Sequence, residues 1–568
     1  MAYQNSKKDI LYPIALAVVL VVGIAIGLIL PKNRENTNLL VYPKTDKLSG
    51  VINYIKDEYV DSVSIPSIVE KTIPAVLKNL DPHSIYIPAS DLQAVNEPLE
   101  GGFDGVGIQF NMISDTAIVV NTIPGGPSER LGILAGDRIV TVNGKNIAGV
   151  KFPLDSIPKL LKGHTGTKVN VGIKRKGLKD LIQFEITRDK IPIYSVDIAY
   201  MVAPSVGYIK ISTFAKTTYF EFIQAMQKLQ KKGLSKLIID LRGNSGGYMD
   251  AATNIANEFL AENQLIVYTK GHNRPRENVY ANGKGEFQNL PLEILIDEFS
   301  ASASEILAGA IQDNDRGKII GRRSFGKGLV QEQIFFSDGS GMRLTIARYY
   351  TPSGRSIQKP YKPGDDDYYN DISRRYLHGE FEVADSIQFA DSLKYQTIGG
   401  RVVYGGGGIM PDVFVPLDTT GITPYLQNVS RRNLIYRFAF KFTDQHREKT
   451  RSLKTFEEVD KYLNHSNLMD EFVQFAEKNG VPKNQKEIKI SGEIIEAQLK
   501  ATIGRNIIDN EGFYPYIREI DETLQRAIQE FNNSNLSSYY PSSQVDALLM
   551  VEAYMKTHLT TDRIASIA

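Results

Sequence analysis

The sequence predicts a multidomain chain that combines α/β, β and helical parts, and two observations indicate this. Its 568 residues exceed what one hydrophobic core usually holds, since most domains have about 100–150 residues. The spacing of apolar residues also changes along the chain, from helical, to short strands with turns, to strands alternating with helices, and back to helical. The alternating part is typical of an α/β domain with a largely parallel sheet.

Composition argues against several classes of protein. The 66 basic and 65 acidic residues leave a net charge of +1, so no overall positive field favours nucleic acid. The chain has no cysteine, which excludes a thiol nucleophile, disulfides and thiolate metal sites. The seven histidines form no H-x-x-x-H pair. We therefore expect no nucleic-acid partner, no metal and no cofactor.

An apolar run near the N-terminus predicts a membrane anchor. Residues 11–30 carry no charge and, as a helix, would cross a hydrocarbon core of about 30 Å. A cleaved signal peptide is the alternative, but its apolar part is usually about 7–15 residues long and is followed by small residues. We expect residues 1–31 to be a cytoplasmic tail and an uncleaved transmembrane helix. The rest of the chain would then face the periplasm or another extracytoplasmic side of the inner membrane.

Residues 32–96 are predicted to be a linker followed by a helical segment. Val51, Ile52 and Ile55 recur at helical spacing, and a turn at residues 81–84 ends the pattern. His83 lies in that turn. We interpret it as a turn residue whose polar groups are satisfied by the backbone.

Residues 97–192 show short strands separated by glycine turns. The stretch from Gly136-Asp137 to Asn143-Gly144 and the loop of Gly105, Val106, Gly107 and Ile108 resemble a PDZ domain. The resemblance implies that a peptide adds as a strand beside the helix at 156–163 while backbone N–H groups of that loop hold its terminal carboxylate. The alternative is a small β-domain that only packs against its neighbours.

Residues 193–418 are predicted to form the α/β domain. The loop at 243–247 and the serine-rich turn at 300–304 each follow a strand and precede a helix. Because loops after parallel strands meet at one edge of the sheet, we expect the two loops to lie together. Residues 360–400 look like an insertion or lid. Residues 419–568 are predicted to be a helical domain for packing or partner binding, with good amphipathic helices at 468–478 and 517–531.

The serine-rich turn and a lysine between two glycines indicate acyl transfer. Ser302 would be the nucleophile and Lys327 its base, provided that burial lowers the pKa of the lysine. If the segment after Lys327 is helical, Gln331 shares its face and could orient the amine. The N–H groups of Ala303 and of Gly246 or Gly247 could form an oxyanion hole.

Two other interpretations of the same region are weaker. Residues 243–247 match G-x-S-x-G, which would make Ser245 the nucleophile of an α/β-hydrolase, but no histidine follows at a suitable place. Residues 321–328 nearly match a phosphate loop, but Gly328 stands where a Mg²⁺-binding hydroxyl is required and no helical pattern follows directly.

Residues 46–417 resemble the carboxyl-terminal processing proteases, the S41 family of Ser-Lys endopeptidases. The most specific segments are 299–306 and 325–331, and residues 240–247 resemble the family's oxyanion loop. The resemblance implies a ClpP/crotonase-like protease core with Ser302 as nucleophile, Lys327 as base and Gln331 as the supporting glutamine. It also gives Ser245 a structural role.

The resulting hypothesis is a serine endopeptidase that cleaves proteins near their C-termini, with the PDZ domain binding apolar substrate tails. The sequence is compatible with a homo-oligomer. The alternative is a PDZ adaptor whose protease core is inactive.

Overall fold

The computed structural model describes residues 15–23, 47–113, 115–362, 368–387 and 390–533. The chain divides into two compact units, Met1–Ile73 and Pro74–Ala568. The first contains helices α1 (15–23) and α2 (Lys47–Glu58) and most of α3 (Ile65–Lys78). Of the predicted membrane span, residues 11–14 and 24–30 lie outside the described part. Among the residues that are described, no helix is both long and apolar enough to cross a bilayer.

The second unit begins with a short strand and a helix, β1 (Ile85–Ile87) and α4 (Ala89–Glu100). Helix α4 ends at Gly101, whose φ of 73° is the left-handed conformation that glycine adopts readily at helix ends. The prediction of helices between residues 46 and 96 is thus largely confirmed, with a strand added after the turn at 81–84.

Residues 102–192 form a β-domain, as the strand and turn pattern predicts. Its elements are β2 (Gly102–Gly105), β3 (Ile108–Ile113), β4 (Thr116–Thr122), α5 (Pro127–Arg130), β5 (Arg138–Val142), β6 (Lys145–Asn146), α6 (Ser156–Leu161), β7 (Lys168–Lys174), β8 (Ile182–Thr187) and β9 (Asp189–Pro192). The main sheet has the order β3-β4-β5-β7-β8, with β6 on β5, and β2 pairs with β9. Strand β3 is therefore an edge strand, which leaves a row of backbone groups open to a further strand.

The α/β domain is built on a six-stranded sheet. Its elements are β10 (Val196–Ala203), β11 (Val206–Ile211), α7 (Thr218–Gln230), β12 (Lys236–Asp240), α8 (Met249–Asn257), β15 (Leu292–Ile296), α9 (Ala303–Asp313), β16 (Lys318–Gly321) and β21 (Val413–Phe414). The order is β10-β11-β12-β15-β16-β21, and only the β10–β11 pair is antiparallel. All of β15 is buried, as its apolar run predicts.

The two loops predicted to share an edge of this sheet do so. Strands β12 and β15 are parallel neighbours. The N–H of Ala301 donates to the carbonyl of Asn244 at 3.0 Å, and the Ser304 hydroxyl donates to the same carbonyl at 2.9 Å. The prediction from strand order is confirmed.

A second, antiparallel sheet packs beside the first. It contains β13 (Leu265–Lys270), β14 (Glu277–Tyr280), β17 (Leu329–Phe335) and β18 (Gly341–Tyr350), in the order β1-β18-β13-β14 with β17 on β18. Strand β13 lies within residues 193–418, for which the sequence predicts a largely parallel sheet, and for this strand the prediction is wrong. Its partners are β14 and β18, which no local pattern identifies.

The remaining elements form the insertion and the helical domain. They are α10 (Asp371–Leu377), β19 (Lys394–Gln396), β20 (Val402–Tyr404), α11 (Pro424–Arg431), α12 (Leu434–Gln445), α13 (Arg447–Thr450), α14 (Phe456–Asn464), α15 (Leu468–Lys478), α16 (Gln485–Ile508), α17 (Asn510–Ile517) and α18 (Glu522–Asn533). The predicted helix at 517–531 is confirmed for residues 522–531, which lie in α18, but its start is wrong, because Asp521 precedes α18 and its side chain accepts the Leu524 N–H at 3.0 Å. Helix α18 packs Leu524, Ala527 and Phe531 against the six-stranded sheet.

Candidate active site

The turn that carries Ser302 has an unusual backbone. Ser302 precedes α9 with φ 55° and ψ −113°, a conformation that residues other than glycine rarely adopt. Such strain costs about 1–3 kcal/mol and persists where the surroundings hold it. The Ser302 N–H donates to Glu305 Oε2 at 2.8 Å, and its carbonyl accepts the Glu305 N–H at 2.9 Å. The turn thereby places the serine at the N-terminus of a helix.

Glu305 ties the serine turn to the lysine turn. Its side chain is fully buried and accepts hydrogen bonds from the N–H groups of Ser302 (2.8 Å), Gly326 (2.8 Å) and Lys327 (2.9 Å) and from the Ser324 hydroxyl. Burial raises the pKa of Glu305 to about 7, and these donors oppose that rise. One carboxylate therefore sets the spacing between the two turns.

Tyr349 makes a second link between these turns. Its hydroxyl lies 3.0 Å from the carbonyl oxygen of Ser302 and 2.6 Å from that of Lys327. The side chain is almost completely buried, so water does not compete for the hydroxyl proton. The backbone on either side of the site is held from two directions.

Lys327 is partly buried, and the proton affinity of its amine is lowered. Burial lowers the pKa of its amine below the usual 10.5, and the nearby Arg343 guanidinium lowers it further. The Nζ atom donates to Gln331 Oε1 at 3.0 Å. A lysine with a lowered pKa is more often neutral, which is the form that can accept a proton.

Gln331 orients the amine, but not from a helix. It lies in strand β17, so the helical arrangement considered from the i, i+4 spacing is wrong. Its Nε2 donates to the backbone carbonyl of His83, and a carbonyl can only accept. This contact fixes the amide with Oε1 towards Lys327.

His83 therefore has a role that sequence reasoning missed. Its ring is bound to a side chain, with Nε2 3.0 Å from the Tyr368 hydroxyl, so the expectation of backbone partners for the ring is wrong. Burial, followed by the charge of Lys327, lowers the pKa of His83 to about 3. The ring is neutral, and the carbonyl of the same residue holds Gln331.

Ser302, Lys327 and Gln331 line one cavity of about 1040 Å³. Within the described residues, no hydrogen bond joins Ser302 Oγ to Lys327 Nζ, and the amine donates to Gln331. Phe299, Phe325 and Phe335 also line the cavity, which gives it apolar walls suited to a peptide.

The glycine loop at 243–247 packs directly on the serine turn. A Cβ atom on Gly246 would lie 2.8 Å from the Ser302 Cβ, so only glycine fits. The Gly246 N–H donates to Asn244 Oδ1 at 2.8 Å and is thus engaged. No hydrogen bond in the described part of the chain uses the N–H of Ala303 or of Gly247. Of the residues predicted for the oxyanion hole, these two keep a free donor.

The alternative sites keep little support. Ser245 is exposed and lines the same cavity as His83, but within the described residues no hydrogen bond joins the two, and His83 Nε2 lies 3.0 Å from the Tyr368 hydroxyl instead. The near match to a phosphate loop at 321–328 is followed by strand β17 and not by a helix.

The predicted carboxylate loop connects β2 to the edge strand β3. The carbonyl of Val106 accepts the Ser128 hydroxyl at 2.5 Å, and that of Gly107 accepts the Ile123 N–H at 3.0 Å. Gly107 has a φ of 70°, and Gly105 and Ile108 flank the turn at the ends of β2 and β3. Where the structure is described, no hydrogen bond uses the N–H of Val106 or of Gly107. These groups are available to an anion.

Sequence families match three parts of the chain. Residues 205–365 match peptidase family S41, residues 105–196 match the PDZ domain, and residues 425–509 match a family of unknown function (DUF8443). Two solved structures are also similar. They are the photosystem II D1 C-terminal processing protease (29% identity, 64% of this chain, 85% of that chain, TM-score 0.34) and the PDZ domain of a carboxy-terminal protease from Vibrio cholerae in complex with peptide (29%, 16%, 99%, TM-score 0.15). TM-scores this low carry no argument about the fold.

Curated relatives show the family more directly. The carboxy-terminal processing protease CtpB of Bacillus subtilis is 33% identical over 317 residues, which is 55% of this chain and 65% of that protein. The carboxy-terminal-processing protease of Bartonella bacilliformis is 34% identical over 331 residues, which is 57% of this chain and 74% of that protein. The chain thus spans slightly less than two thirds of CtpB. The resemblance to peptidase family S41 is confirmed, and the chain belongs to the family of carboxy-terminal processing proteases.

Proposed function

We propose that the protein is a serine endopeptidase that cleaves other proteins near their C-termini through Ser302 and Lys327. The observation that carries this is the partly buried Lys327 amine, whose pKa is lowered and which Gln331 orients inside the cavity that Ser302 also lines.

In the proposed reaction, neutral Lys327 accepts the proton of the Ser302 hydroxyl as Oγ attacks the scissile carbonyl. The amine first leaves Gln331, a movement within the range of a flexible lysine side chain. The free N–H groups of Ala303 and Gly247 stabilise the oxyanion. The lysine then gives its proton to the leaving amine, and water hydrolyses the acyl-enzyme.

The PDZ domain would bring the substrate tail to this site. The tail adds to the edge strand β3, with its carboxylate on the free N–H groups of Val106 and Gly107, while Gly105 and Ile108 shape the turn. The bound peptide named for the Vibrio cholerae domain is consistent with this use. The apolar run at 11–30 supports a membrane-anchored, extracytoplasmic location, which protease accessibility in intact cells would test.

The test compares cleavage of casein by the wild-type protein with cleavage by Ser302→Ala and Lys327→Ala. Both variants should lose cleavage while their thermal melting stays close to wild type. The matched control is Ser245→Ala, which removes a hydroxyl from the same cavity and should still cleave. If Ser302→Ala cleaves as well as wild type, the proposed dyad is wrong. If the wild type and Ser302→Ala are equally inactive, the adaptor with an inactive core is favoured. Mass spectrometry of cellular C-termini that change in Ser302→Ala would then identify substrates.

A further inference from the structure

Arg343 is a cation in the wall of the active-site cavity without an anionic partner. It lies on β18 and lines the cavity together with Ser302 and Lys327. Its Nε donates to Gln333 Oε1 at 2.9 Å, and its Nη2 donates to Asn96 Oδ1 at 2.8 Å. Both acceptors are neutral amides, and no carboxylate of the described residues contacts the guanidinium.

The pairing of β17 with β18 places Arg343 close to Gln331 and Lys327. Gln331 and Gln333 are two residues apart on β17 and share a face of the strand, and Arg343 is the register partner of Gln333. Two strand residues span about 6.6 Å. Arg343 therefore lies beside Gln333, the next residue after Gln331 on this face of the strand, and Gln331 holds Lys327.

Among the described residues, no other charged group of the cavity forms an ion pair with Arg343, and this includes the exposed Asp250. Lys216 and Glu100 form a pair with an N–O distance of 2.6 Å, and Tyr248 also donates to Glu100. Burial lowers the pKa of Arg343, and only the weak opposing influence of Tyr248 acts on it. A half-buried arginine held by neutral amides retains free donors in the fork geometry that matches a carboxylate.

We propose that Arg343 binds a carboxylate of the substrate within about two residues of the scissile bond, with Asn96 and Gln333 holding its guanidinium in place. The carboxylate belongs either to an acidic side chain or to the C-terminus of the peptide. The inference rests on the proposed peptidase activity, because it assumes that a peptide occupies this cavity.

The test uses a casein-derived peptide that the full-length wild-type protein cleaves at one bond. One set of peptides carries a single Glu at successive positions around that bond, and a matched set carries Gln. A third pair differs only in a free or an amidated C-terminus. For each pair, the ratio of kcat/KM is measured in the wild type, in Arg343→Gln, in Arg343→Lys and in Arg348→Gln. The last variant is the control, since Arg348 lies on the same strand but is exposed and lines no part of the cavity.

We expect the wild type to prefer one Glu peptide over its Gln partner, or the free over the amidated C-terminus, by about tenfold or more. Arg343→Gln should bring that ratio near one, Arg343→Lys should retain part of it, and Arg348→Gln should leave it unchanged. Because the ratio compares two peptides on one variant, any general loss of activity or change in Lys327 cancels. The pair that responds identifies the source of the carboxylate.

If every ratio is the same in Arg343→Gln as in the wild type, the proposal is overturned while the peptidase activity stands. If the wild type cleaves no peptide, the proposed function fails. In that case binding of the same peptides to the Ser302→Ala protein, by fluorescence anisotropy, decides the question. A Glu or free-carboxylate preference in binding that disappears in the Ser302→Ala, Arg343→Gln double variant supports the site, and an equal preference refutes it.

Discussion

Replacing Gly246 with alanine should impair the site through contact with the turn that carries Ser302. The added Cβ would lie 2.8 Å from both the Ala301 carbonyl oxygen and the Ser302 Cβ, and 3.0 Å from the Ala303 nitrogen. The loop cannot move away without loss, since the Gly246 carbonyl accepts the Phe214 N–H at 3.0 Å and its own N–H is bound to Asn244. The serine turn must therefore shift.

Two contributions set the size of this effect. Gly246 has a φ of 103°, and a left-handed backbone at a residue other than glycine costs about 1–3 kcal/mol. Overpacking against the serine turn adds about 1–3 kcal/mol. A substitution at Gly243 separates the backbone cost from the overpacking, because Gly243 belongs to the same loop and has a φ of 71°, but a Cβ added there meets no atom within 4 Å. Gly243→Ala thus has the backbone cost without the contact.

The two variants should therefore differ both in catalysis and in stability. A displacement of a reacting group by about 1 Å can lower the rate about 100-fold. We expect Gly246→Ala to have a kcat/KM about 100-fold below that of Gly243→Ala, with a free energy of unfolding lower by about 1–3 kcal/mol. Peptide cleavage and thermal melting measure both. Equal kcat/KM values in the two variants would show that the contact with Ser302 does not position the nucleophile.

Three further predictions follow from the same contacts. Because the pKa of Lys327 is lowered, its amine becomes neutral below the usual 10.5, so kcat/KM should rise with pH and level off below 10.5. Arg343→Gln removes a charge that lowers this pKa and should move the rise to higher pH. A rise centred at or above 10.5 in the wild type would contradict this prediction. In Glu305→Gln, the amide can accept only some of the hydrogen bonds that the carboxylate accepts, so thermal melting should show a free energy of unfolding lower by about 1–3 kcal/mol. The control Glu332→Gln changes an exposed residue and should alter melting little. Equal melting of the two variants would be the contrary result. Asp521→Asn keeps the helix cap but breaks the ion pair in which Arg242 Nη1 and Nη2 lie 2.8 and 2.6 Å from the carboxylate. As a result, kcat should fall by a larger factor than KM changes. An unchanged kcat would show that α18 does not support the loop at 243–247.

The placement of the site could be predicted because it depends on local rules. The buried run at Leu292–Ile296 identifies a central strand. Because loops that follow parallel strands meet at one edge of the sheet, the turn at 300–304 is expected beside the loop at 243–247. Glu305 could also have been found, since Ser302 and Glu305 match the S-x-x-E pattern of a capping box. Its bonds to the lysine turn could not, because they depend on how two distant segments pack.

The spacing of Lys327 and Gln331 shows how a correct pair can follow from a wrong element. Four residues apart on a helix, the two side chains would share a face. Here β17 begins at Leu329, its register with β18 shifts between Val330 and Gln331, and Gln331 Oε1 accepts a hydrogen bond from Lys327 Nζ at 3.0 Å. The contact that fixes Gln331, the His83 carbonyl, lies 248 positions away in the chain. No local pattern encodes such a pair.

These contacts divide the site into a fixed part and a movable one. The N–H groups of Ser302 and Lys327 both donate to Glu305 Oε2, and their carbonyl oxygens both lie within 3.0 Å of the Tyr349 hydroxyl. The two backbones are therefore locked together at both polar groups. Only the Lys327 side chain is held from elsewhere, by Gln331. The step from the described arrangement to one that can react then requires no loop rearrangement. It requires the amine to turn from Gln331 Oε1, to which it donates, to the Ser302 hydroxyl, whose proton it accepts, and a peptide that enters the cavity and displaces water would favour that change.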